Sequence, residues 1–107
     1  MAHYLIQTAY TPEAWATMSK NPQDRGEAIR PAVEALGGRL ESFYMCFGEY
    51  DVVAIADFPS NEDAAAFGIS VAAGGAVRSY RTTPLFEPLE SVEAMKRAGR
   101  SAYSPPG

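Results

Sequence analysis

A chain of 107 residues, 47% hydrophobic and 21% charged, matches the commonest size of one domain and the composition of a chain that folds around one core. A net charge of −4 excludes broad electrostatic attraction to phosphate backbones or anionic lipid, so neither nucleic acid nor a membrane is expected as partner. A single cysteine, no apolar run near the ~20 residues of a membrane span, and no basic-then-apolar leader point to the cytoplasm.

His3 to Tyr10 is rich in aromatic and β-branched residues and predicts a strand, stopped by Thr11-Pro12, a cap followed by a first-turn proline. Trp15 and Met18 share one helical face, and Asn21-Pro22 repeats the start signal, with Asp24 suited to the positive helix end. Ile29, Val33 and Leu36 continue the apolar stripe to a stop at Gly37-Gly38, and Pro31 inside it predicts a kink.

Arg39 to Phe47 and Tyr50 to Phe58 read as two strands, joined by Gly48-Glu49 as a type II′ hairpin turn. Ser60 and Asp63 form a capping pair for a helix with Ala64, Phe67 and Val71 on its apolar face, ending at Gly74-Gly75. Ala76 to Leu85 is the last strand, and Pro84 suits an edge. Glu87-Pro88 opens a final helix with Leu89, Val92 and Met95 or Lys96 as its stripe, closing at Gly99. One domain is expected over residues 3–99, with 100–107 a tail that has little to bury.

Strand, helix, strand, strand, helix, strand is the split βαβ order of a ferredoxin-like α+β fold, with an antiparallel sheet of order 4-1-3-2 and helices on one face. The third strand is apolar on both sides, so both faces of the sheet require cover. Val52, Ala54 and Ala56 are assigned to the helices, small side chains letting the second helix come close; Leu40, Tyr44, Cys46, Val53 and Ile55 are assigned to the open face. Burying ~600 Å² there at ~25 cal/mol per Å² favours association by an order of 15 kcal/mol before entropic costs. A homo-oligomer paired through Val53, Ile55 and Tyr44, as a dimeric α/β barrel, is the expectation.

The hairpin Phe47-Gly48-Glu49-Tyr50-Asp51-Val52-Val53 resembles the signature of the GYD-domain family, through Gly48, Tyr50 and Asp51. Tyr4-Leu5-Ile6-Gln7, Asn21-Pro22-Gln23-Asp24-Arg25, Gly37-Gly38-Arg39-Leu40 and Val77 through Pro84 resemble it too, so the likeness spans roughly residues 3 to 97. The resemblance implies a small dimeric α/β barrel and no established activity.

Among chemistry-bearing residues, Tyr50-Asp51 offers a carboxylate beside a tyrosine, although the same residues build a good hairpin and structure outweighs function there. His3, the only histidine, is a possible proton shuttle, but its place at the terminus favours a solvated residue. Gln7 and Tyr44, with Tyr4, Thr8, Tyr10 and Tyr80, supply polar groups to a cavity between sheets that is otherwise apolar. Arg78 or Arg81 is a possible partner for Asp51 or Glu49, and Cys46 reads as inert packing. One histidine and one cysteine cannot build a closed zinc site, no phosphate-binding glycine motif is present, and no cofactor or metal is expected. Two readings follow. One is a small-molecule binding protein or cofactor-independent enzyme, with the ligand in the barrel cleft between sheet and helices and polar groups from His3, Gln7, Tyr44, Tyr50 and Asp51; the other is a structural or regulatory oligomerisation module.

Overall fold

Alternation is clearest in β1 (Ala2–Tyr10), where Tyr4, Ile6, Thr8 and Tyr10 are buried and His3, Leu5 and Gln7 only partly so. In the structure, a computed structural model describing residues 1–107, β1 is followed by α1 (Pro12–Lys20), α2 (Arg25–Ala35), β2 (Arg39–Met45) and β3 (Val52–Phe58). Then come α3 (Asn61–Ala73), β4 (Val77–Leu85) and α4 (Pro88–Ala98). The strands form one antiparallel sheet of order β2-β3-β1-β4, the expected order read from the opposite edge. This is an α+β, ferredoxin-like arrangement.

The helix starts follow local chemistry. Thr11 accepts from the Ala14 amide, Ser60 from the Asp63 amide, and Glu87 and Glu90 cap α4 reciprocally. The second start differs from expectation: Asn21 closes α1 by bonding to the Thr17 carbonyl, and Asp24, accepting from the Glu27 amide, caps α2. Two separate helices therefore stand where one restarted helix was expected, and α2 runs on past the exposed Pro31. Gly37, at φ +77°, supplies the left-handed stop.

The hairpin between β2 and β3 is longer than a two-residue turn. Both strands stop short, the Cys46 amide bonds to the Asp51 carbonyl at 2.8 Å, and Gly48 has φ +156° rather than the ~+60° of a type II′ turn. The cause is Asp51. Its amide bonds to the Thr8 carbonyl at 2.8 Å and its carboxylate accepts from the Tyr10 amide at 2.9 Å and the Trp15 indole at 3.3 Å. Position 51 thus belongs to β1 and α1, which leaves residues 47–50 as the loop.

Val52, Ala54 and Ala56 face the helices and are buried, as expected, while Val53 and Ile55 lie partly exposed on the other side. Leu40 corrects the assignment on β2. A bulge places Leu40 opposite Ala56 and Ser42 opposite Ile55, so the extra residue, Glu41, reverses parity and sends Leu40 into the core. Tyr44 pairs with Val53, stays on the open face and is 69% exposed. Cys46 falls beyond β2, where its thiol donates to the Tyr50 carbonyl.

The core gathers Tyr4, Val33, Phe58 and Phe67, with the Phe58 ring 5.9 Å from Tyr4 and 5.8 Å from Phe67. Each such side chain contributes about 1.5–3 kcal/mol by leaving water. Gly38 is required at its position, because a Cβ there would lie 2.6 Å from the Asp57 carbonyl oxygen. No residue of α4 is buried, and with α4 held away from the core the radius of gyration is 17.1 Å, against about 13 Å for a compact chain of this size. No helix is long and apolar enough to cross a membrane.

Candidate functional site: an apolar pocket under the sheet

Between the helix-facing side of the sheet and α2 and α3 lies a pocket of about 320 Å³, with 14 hydrophobic residues among the 18 that line it. Its floor is Ile6 and Thr8 of β1, Val52, Ala54 and Ala56 of β3, and Leu40 and Phe43 of β2; its roof is Ile29 and Val33 of α2 with Phe67 and Val71 of α3. The alanines explain the space. They leave room below the helices, and α3 comes close at β4, where Gly68 lies against Tyr80 so tightly that a Cβ would come within 2.9 Å of its ring.

The Tyr80 hydroxyl is a buried polar atom with no hydrogen-bond partner, on a residue that lines this pocket. Burial pushes its pKa up to about 12; the Thr82 side chain nearby opposes the shift without meeting hydrogen-bond geometry. Such an orphan costs about 1–3 kcal/mol unless a water or ligand satisfies it. Thr8, Tyr10, Arg25 and Ser70 are the other side chains with polar groups in the lining.

A second, more polar depression of about 320 Å³ shares Tyr10, Arg25, Gly74 and Ala76 with the pocket and adds Glu13, Thr17 and Gln23. Arg25 therefore stands where the apolar space meets the wet one. Its guanidinium donates to the Gln23 amide oxygen at 2.7 Å and forms no ion pair.

The opposite side of the sheet carries a different constellation. Both ring nitrogens of His3 meet carboxylates, Nδ1 at Asp57 and Nε2 at Glu87 3.1 Å away, and both bonds are donated together only by the imidazolium. The hydrogen bond to Asp57, more than its burial opposes, raises the His3 pKa. Burial pushes the Asp57 carboxyl up, but the hydrogen bonds and charges of His3 and Arg39 together outweigh it and hold the group below the usual carboxylate value. Arg39 donates to the other Asp57 oxygen at 2.7 Å. His3, Glu41 and Asp57 also bring ligand atoms within 4.8 Å of one another, a spacing a divalent cation can bridge. The cluster is nevertheless already matched as ion pairs, with Asp57 held by two cations and His3 within ion-pair distance of three carboxylates.

The five residues first singled out do not come together. His3, Gln7 and Tyr44 lie on the open face, Tyr50 and Asp51 lie in or beside the hairpin loop, and none lines the pocket. His3 is tied into the fold rather than solvated. Asp51 is held by Tyr10 and Trp15, and neither Arg78 nor Arg81 reaches it or Glu49 to form an ion pair. Thr8, Tyr10 and Tyr80 line a pocket on the helix side of the sheet rather than the cavity between sheets expected for them, and Tyr4, Gln7 and Tyr44 do not line it. Arg25 was overlooked, although a cation in the first turn of a helix, where the dipole disfavours it, is a signal legible in sequence.

No curated protein matches this sequence. The family model for the GYD domain matches residues 4–95 of the 107. That span takes in β2, β3 and β4, β1 from Tyr4 onward, the pocket lining and the loop holding Gly48, Tyr50 and Asp51. The chain belongs to the GYD-domain family.

Proposed function

We propose that this protein binds a small, largely apolar molecule in the pocket between the sheet and helices α2 and α3, and works as a homo-oligomer paired through the open sheet face. The observation that carries the binding reading is the pocket itself, an apolar space of ligand size lined by 14 hydrophobic residues out of 18. Its lining holds no histidine, carboxylate or cysteine, the side chains that exchange protons near neutral pH, so the arrangement favours binding over acid–base catalysis.

The pairing reading is supported by Tyr44, Val53 and Ile55, which line up on the open sheet face, with Tyr44 exposed and Val53 and Ile55 partly so. If oligomerisation alone were the function, that face would suffice and the pocket would have no occupant. A reducing, cytoplasmic setting suits the free Cys46.

Titration with 1-octanol tests the binding reading, with thermal unfolding as readout. A ligand at ten times its Kd adds about 1.4 kcal/mol and raises Tm by several degrees. Ala54→Leu fills the space and abolishes that rise while keeping the fold. An alcohol-induced rise that survives Ala54→Leu, or no rise in the unaltered protein, overturns the reading.

A further inference from the structure

We infer that the ligand of this pocket is a monocarboxylate with an apolar body, its carboxylate held by Arg25 at the rim. This rests on the pocket reading above and adds to it the chemical class of the molecule. Arg25 is the first residue of α2, where the helix dipole disfavours a cation, and local folding therefore gives no reason for it. The guanidinium has only the neutral Gln23 amide as partner, in a chain with 13 acidic residues. Asp24 beside it is engaged in capping α2.

Position completes the case. Arg25 lines both the apolar pocket and the polar depression, so a molecule whose apolar part fills the first presents its head group to the guanidinium. A carboxylate matches that planar fork with two parallel bonds. The positive end of α2 starts at the same residue and adds to the attraction. No acidic side chain lines the apolar pocket, and Glu13 stands only on the outer depression, so nothing inside repels an anion. One arginine matches one negative charge, which favours a monocarboxylate over a phosphate or a diacid. A volume of about 320 Å³ suits a chain of about eight carbons or a single ring.

The test compares sodium octanoate with 1-octanol by isothermal titration calorimetry on the intact protein and on Arg25→Gln. Octanoate is expected to bind at least tenfold more tightly than octanol, and Arg25→Gln to remove that preference by weakening octanoate at least tenfold more than octanol. Arg25→Lys, which keeps the charge but loses the fork, falls between the two and serves if the glutamine variant does not fold. Equal affinity for alcohol and acid, or an octanoate affinity indifferent to both substitutions, overturns the carboxylate inference while the pocket reading stands. Binding of neither molecule overturns both.

Discussion

At Asp51 a single carboxylate oxygen accepts from the Tyr10 amide and from the Trp15 indole, joining the end of β1, the start of β3 and helix α1. Asp51→Ala is expected to cost about 1–3 kcal/mol, since it orphans the Tyr10 amide, and to leave octanol affinity unchanged. Urea unfolding with a parallel titration checks both halves. The His3–Asp57 pair gives a pH dependence of definite sign. The His3 pKa is raised above its ordinary 6.5, so the pair's stabilisation is full below that pH and is lost as pH rises through the raised value. The Asp57 pKa is lowered from 3.8, so its share is present above that pH and is lost as pH falls through the lowered value. Urea midpoints should therefore fall on going from pH 6 to pH 9, and His3→Gln should flatten that slope; an unchanged slope would show that the pair does not govern it. Sequence named His3 and Asp51 but not their roles, because their partners, Asp57, Glu87, Tyr10 and Trp15, lie 36 to 84 residues away along the chain.

Helix and strand boundaries follow rules that act within a few residues, and these were the legible parts. Thr11, Ser60 and the Glu87 start all cap as read, and Thr11→Ala is expected to destabilise by about 1 kcal/mol through the lost bond to the Ala14 amide, measured by chemical unfolding. The hairpin and β2 were misread for one shared reason. A two-residue turn at Gly48-Glu49 and an unbroken alternation from Leu40 are both sound local patterns, yet the hold of β1 and α1 on Asp51 opens the turn and the bulge at Glu41 reverses the face of Leu40. Neither constraint is written in the residues it alters.

For the whole molecule, the strand order and the helix-facing stripe of Val52, Ala54 and Ala56 were readable from connection order and two-sided hydrophobicity. A cleft between sheet and helices was readable as well, but not its lining, which gathers residues from β1, β2, β3, β4, α2 and α3 that lie far apart along the chain. The chain leaves two apolar surfaces uncovered, the open sheet face and the α4 stripe, where Leu89 is 82% exposed. Val53→Arg places a charge amid the first and is expected to convert an oligomer into monomers by size-exclusion chromatography, with the helix-side core unaffected; a variant of unchanged size would remove that face from the interface. The most direct measurement for the binding account is native mass spectrometry of the protein taken gently from its own cells. The account predicts an oligomer in which each chain retains one small molecule, lost in Ala54→Leu. Chains that carry no added mass, or carry it equally after Ala54→Leu, would contradict it.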